Sequence, residues 1–160
     1  MSTMPAPGDP APEFALPDEN GVVHRLADRR GSFTVVYFYP KDDTPGCTVE
    51  ACAFRDANED LASADAAVWG ISPDGARSHG RFREKFSLSF PLLSDEDHGV
   101  AEAYGAWVEK EKYGKTYMGV QRSTFLVGPD GLVAQAWHRV KPEGHAEEVA
   151  AALEAAKAAR

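Results

Sequence analysis

Thiols are the most nucleophilic side chains a protein carries at neutral pH, and this chain has two of them, Cys47 and Cys52. Cys47 closes the stretch Pro40-Lys-Asp-Asp-Thr44-Pro45-Gly-Cys47. Thr44 suits a helix N-cap, and Pro45 suits the first helical position, where its missing N–H is not needed. That register puts Cys47 in the first turn of a helix, where backbone N–H groups are unpaired and point outward. The helix dipole adds roughly half a positive charge there, which favours a thiolate over a thiol. The types and spacing therefore mark Cys47 as a candidate nucleophile. The competing reading, a small buried hydrophobe, is common for a free cysteine.

A reactive turn needs a rigid strand before it and a helix after it. Phe33 to Tyr39 is an unbroken apolar and β-favouring run, which suits a central strand buried on both faces. Pro40 cannot donate to a ladder and stops it. The helix runs from the reactive turn to about Ser63, with Val49, Ala53, Ala57, Leu61 and Ala64 as its expected inward stripe. Upstream, residues 1–12 read as a loose arm and Glu13 to Leu26 as a hairpin around Asp18-Glu-Asn-Gly21. Downstream come a buried strand at Ala66 to Ile71, a helix from Ala76 to Leu88, an extended Phe90 to Ser94, and a short helix within Asp95 to Gly105. Trp107 to Gln121 reads as a surface loop. Arg122 to Val127 and Leu132 to Arg139 form an antiparallel pair about a Gly-Pro-Asp-Gly turn. Glu143 to Ala158 is a closing helix. The order implies an α/β fold in one domain over residues 1–160, a mixed sheet with helices on both faces and an N-terminal hairpin.

With 160 residues, 43% hydrophobic and 26% charged, the chain can bury a sizeable core. A net charge of -8 argues against nucleic acid or an anionic membrane as partner. No segment has the length of a membrane span, and the start lacks the features of a signal peptide. Two cysteines without an export signal point to a reducing, cytoplasmic setting, where a Cys pair serves catalysis, redox chemistry or metal binding. His24, His79, His98, His138 and His145 are scattered and none has paired spacing to a cysteine, so a zinc site finds no ligand set. Phe38, Trp107, Tyr113 and Tyr117 read as core or rim packing.

Pro40-x-x-x-Thr44-x-x-Cys47 resembles the active-site signature of the peroxiredoxins, thiol peroxidases of thioredoxin-like fold. Arg122, in Arg-Ser-Thr-Phe-Leu-Val, matches the arginine that family carries on a later strand. Cys52 matches the resolving position of the bacterioferritin-comigratory, or Q-type, branch, and Gly114 to Phe125 is similar to that branch too. The resemblance implies reduction of hydroperoxides through a Cys47 sulfenic acid and a Cys47–Cys52 disulfide. It further implies recycling by thioredoxin or a similar dithiol, a monomer, and no metal or organic cofactor. Thr44 and Arg122 would bind and polarise the peroxide, and Pro40 would shape the turn.

Helix geometry sets a condition on that disulfide. Five residues along a helix rise about 7.5 Å and place the two Cα atoms roughly 8–9 Å apart on different faces. A disulfide wants them within about 7 Å. Resolution by Cys52 therefore requires the first helical turns to unwind. If Cys52 only packs, an outside thiol does the resolving. A peroxide-sensing thiol–disulfide relay is the alternative function; it would use the same sulfenic chemistry and pass the disulfide to a partner. The absence of Cys-x-x-Cys argues against an ordinary thiol–disulfide oxidoreductase.

Overall fold

The computed structural model describes residues 4–159. Its centre is β3 (Phe33–Phe38), and all six residues are buried. Alternate side chains serve two different cores, which explains an apolar run without polar alternation. Phe33, Val35 and Tyr37 pack with α1 (Pro45–Ser63) and α4 (His145–Ala158) through Ala51, Phe54, Val149 and Leu153. Val36 and Phe38 pack on the other face with Phe14, Leu26, Tyr104 and Phe125.

The five-stranded sheet has the order β5-β4-β3-β8-β9. β4 (Ala66–Ser72) runs parallel to β3, and β5 (Leu92–Ser94) parallel to β4. β8 (Ser123–Val127) runs antiparallel to β3, with Phe38 opposite Ser123, and β9 (Val133–His138) antiparallel to β8. Arg122 therefore sits one residue before the strand that lies beside the end of β3, next to the start of α1. Topology alone carries it there.

The N-terminal hairpin is present as β1 (Ala15–Pro17) and β2 (Val23–Arg25). Between β4 and β5 lies α2 (Ala76–Phe86), stopped by Ser87 at a left-handed φ of 52°. The short α3 (Gly99–Ala103) is capped from outside by Asp95, whose carboxylate accepts from the N–H groups of Val100 and Ala101.

Three expectations are corrected. Of the expected loose arm, residues 1–3 lie outside the described residues. Gly8 to Ala11 is tied to the start of β9: Gly8 N–H donates to Val133 O, Val133 N–H to Asp9 O, and Ala11 N–H to Gly131 O. Ala11 is buried. The expected loop at 107–121 is a hairpin, β6 (Trp107–Lys112) and β7 (Lys115–Val120), in full antiparallel register. Tyr113 and Gly114 both take positive φ, 52° and 74°, as a two-residue hairpin turn requires. The ribbon is largely exposed on both faces, so it never shows the apolar alternation that marks a half-buried strand.

The third correction is the buried face of α1. It is formed by Cys47, Glu50, Ala51, Phe54 and Leu61, whereas Val49 is 44% exposed. Reading apolar residues alone shifts the stripe round the helix, because a carboxylate and a thiol belong to the inward face.

Candidate active site

Cys47 lies in the first turn of α1 and is only 1% exposed. Its Sγ is 3.3 Å from Nη2 of Arg122, 75 positions away in sequence. Arg122 Nη1 donates to Oε1 of Glu50 at 2.6 Å. One guanidinium thus spans the thiol and a buried carboxylate. Its backbone is clamped on both sides: Gln121 N–H donates to Ala106 O at the base of the β6–β7 ribbon, and Val140 N–H donates to Arg122 O.

The guanidinium crosses the helix end at Gly46. A Cβ on that residue would lie 3.1 Å from Nη2 of Arg122 and 3.5 Å from Cγ of Pro142. Glycine is the residue that leaves Arg122 room to reach the sulfur. In water such an ion pair is worth little, but inside a buried site both the attraction and the desolvation cost are large.

Glu50 is one turn beyond Cys47, on the same face of α1. Burial pushes its carboxyl up to about 7, against the pull of Arg122. Its second oxygen, Oε2, has no hydrogen-bond partner among the described residues. Burial alone pulls Arg122 down, but Glu50 and Cys47 outweigh it and raise its affinity for its proton. Lys110 on the ribbon is a second cation in range: burial and Arg122 lower its ammonium, and Cys47 opposes them.

Thr44 is the N-cap, and its carbonyl accepts from Thr48 N–H at 2.8 Å. Its hydroxyl does not cap. It donates to Lys41 O at 2.9 Å, which leaves the oxygen's lone pairs free. Pro40 is half-buried in the bend that follows β3.

Cys52 is half-buried, free, and further along the same unbroken helix. The structure thus brings Cys47 and Arg122 into contact and sets Thr44 at the same helix end. Cys52 stays apart from them, as the helix geometry requires.

Two features escaped the sequence reading. A carboxylate in a first helical turn is already accounted for by the helix dipole, and the i+3 spacing of Glu50 from Cys47 is the usable signal. The other feature is the anchor beneath the turn. Asp42 is buried and accepts from Tyr39 Oη at 2.5 Å and Ser78 Oγ at 2.8 Å, with His79 Nδ1 at 2.7 Å. His79 donates through Nε2 to Leu93 O at 3.1 Å. Six residues, 39–44, separate the end of β3 from the start of α1, and α2 and β5 hold that turn in place.

The site can do thiolate chemistry on a small substrate: a nucleophile, a fixed cation and a helix N-terminus converge on one point. The AhpC/TSA family matches residues 7–136. The chain is 47% identical over 141 residues to peroxiredoxin Bcp of Bacillus subtilis, covering 88% of this chain and 90% of that protein. It is 47% identical over 142 residues to peroxiredoxin Bcp of Escherichia coli, covering 89% and 91%. Peroxiredoxin Q of Xanthomonas campestris superposes with a TM-score of 0.87 at 40% identity, covering 96% of this chain and 97% of that one.

Proposed function

This chain belongs to the AhpC/TSA family, in the branch of the Bcp and Q-type peroxiredoxins, and is a thiol-dependent peroxidase of thioredoxin-like fold; from that premise we propose the residues that carry its cycle. Its substrates are a peroxide and a thiol reductant. Cys47 is the peroxidatic nucleophile. The observation that carries this assignment is the contact between its Sγ and Arg122 at a helix N-terminus.

The Cys47 thiolate attacks the terminal oxygen of the hydroperoxide. An S–O bond forms, the O–O bond breaks, and the electron pair leaves on the alkoxide, which takes a proton to give alcohol or water. Cys47 is left as a sulfenic acid. Arg122 and the backbone N–H groups of the first helical turn meet the charge that develops on oxygen. The free lone pairs of Thr44 accept the peroxide O–H, and Pro40 fixes the turn without offering a competing N–H. Cys52 then attacks the sulfenic sulfur, water leaves, and an internal disulfide forms once the start of α1 has unwound. A thioredoxin-like dithiol reduces it. One copy of the chain supplies both thiols, which suits a working monomer. The cytoplasm supplies the dithiol.

Intact mass and free-thiol titration test the scheme, before and after one equivalent of hydrogen peroxide. Loss of both thiols and two hydrogens, without a covalent dimer, is the expected result. Cys47→Ser should abolish the reaction. Cys52→Ser should stop it at the sulfenic acid, one oxygen heavier. A wild-type protein that only gains one oxygen or forms a covalent dimer, or a Cys47→Ser protein that still consumes peroxide, overturns the assignment.

A further inference from the structure

Resting on Cys47 as the nucleophile, we propose that Cys47 and Glu50 hold one proton between them across Arg122, Glu50 being a positioning residue whose protonation releases Arg122 to the thiolate. The two acids lie one turn apart on the same helix face, and each is 1% exposed. One guanidinium touches both, Nη1 on Glu50 and Nη2 on Cys47. A single cation cannot neutralise two buried anions, so ionising both leaves a net negative charge out of water. Oε2 of Glu50 is buried without a partner among the described residues, so it can take the proton and leave Oε1 a neutral, weaker acceptor that frees the charge of Arg122 for the thiolate.

The surroundings offer little to neutralise that second anion. From β3, Tyr37 is fully buried and held neutral, by burial first and then by Glu50 and Cys47. From the start of α4, burial lowers His145 and Arg122 adds to this, against Glu148. Lys110 on β6 makes no hydrogen bond to either acid among the described residues; burial and Arg122 disfavour its ammonium, and Cys47 favours it. Burial holding Glu50 near 7 agrees with a proton that is present on many molecules at neutral pH.

The proton also balances the first step. Thiolate, hydroperoxide and protonated Glu50 become sulfenic acid, alcohol and Glu50 carboxylate. As negative charge leaves the sulfur, Glu50 reclaims Arg122 and gives up its proton, and the alkoxide takes one up through solvent. Glu50 acts through Arg122 and does not touch the peroxide.

The ultraviolet thiolate absorbance of Cys47 tests this in a Cys52→Ser background. With Glu50 present, the thiolate should form in two steps as pH rises. Glu50→Gln keeps an oxygen for Arg122 but cannot titrate. It should collapse the curve to one step, complete about one pH unit lower. Glu50→Asp should restore two steps. A Glu50→Gln curve that keeps both steps overturns the proposal, as does a curve moved to higher pH.

If Glu50→Gln does not fold, an infrared difference spectrum of the wild-type chain decides, reduced against Cys47-alkylated. A protonated carboxyl band at pH 7 that weakens on alkylation supports the shared proton, the remainder being the part that burial alone holds. Its absence, or an intensity unchanged by alkylation, refutes it. Neither readout needs turnover, so a protein that passes both and fails to consume peroxide would sink the peroxidase assignment alone.

Discussion

Arg122 uses the two arms of its fork for different partners, and that sets what a substitution there removes. Lysine keeps a positive charge, but its three donors sit on one nitrogen, so it does not span Glu50 and Cys47 as the two arms of the guanidinium do. Arg122→Lys is expected to lower kcat/KM for hydrogen peroxide by about 10² to 10³, the range found when one donor to a developing oxyanion is lost. Stopped-flow peroxide consumption checks this, and a loss under tenfold would remove Arg122 from the peroxide site. For Thr44, Ser keeps the oxygen and Val discards it. Thr44→Ser should retain most of the rate and Thr44→Val should lose about 10²-fold or less, since general acid–base and hydrogen-bonding contributions are of that order. Equal rates would leave Thr44 as a turn residue that donates to Lys41 O and nothing more. At this scale Cys47 was legible from capping chemistry, because Thr44 and Pro45 define a helix start locally. Arg122 was visible only through resemblance. Glu50 was hidden because a carboxylate in a first helical turn already has a sufficient explanation; only packing reveals that its side chain is 1% exposed.

The reactive turn is held by an element that the sequence places far away. Asp42, inside the turn, is bound to Ser78 and His79 on α2, and His79 is bound on to β5 through Leu93 O. Asp42 N–H also donates to Asp74, beside the end of β4. In the proposed cycle, opening the start of α1 for Cys52 would strain or break these bonds. Removing a buried partner costs about 1–3 kcal/mol, and each 1.4 kcal/mol is a factor of ten in an equilibrium. His79→Ala is therefore expected to raise the population of the open turn about tenfold and to speed disulfide closure. The sulfenic acid would then be intercepted sooner, so less sulfinic acid accumulates at high peroxide. Intact mass across a peroxide series measures it, with near-ultraviolet circular dichroism to show that the core persists. Unchanged over-oxidation in a folded variant would detach the anchor from the opening step. Strands and helices at this scale were largely legible, because β3 and β8 carry strong local patterns. The β6–β7 ribbon was not: with most of its residues exposed, its cross-strand hydrogen bonds and the Tyr113-Gly114 turn hold it, and neither leaves an apolar signature.

At the scale of the molecule, the sheet divides the interior into two cores, and the candidate active site lies in the one that α1 and α4 cover. Placing an ionisable carboxyl in that core has a consequence for stability. Glu50 titrates at about 4.5 when exposed and about 7 in the fold. Between those values the folded chain binds more protons than the unfolded one, so stability falls as pH rises. The contribution is fully present below about 4.5 and is lost as pH passes through about 7. The size follows from the shift: at 1.36 kcal/mol per unit, it comes to about 3 kcal/mol for a side chain with almost no solvent screening. Asp18 acts in the opposite sense, its carboxyl raised by burial but brought down further by His24 and by the N–H groups of Asn20 and Val22, and the chain carries a net charge of -8, so the total curve hides this one group. A difference curve isolates it. Urea unfolding at intervals from pH 5 to pH 8 should be run on Cys47→Ser, to remove the thiol, with and without Glu50→Gln. The advantage of the Glu50 protein over its Gln variant should shrink by about 2–3 kcal/mol across that range. A difference that stays level would mean that Arg122 keeps Glu50 ionised throughout, and that the buried pair is a fixed structural clamp.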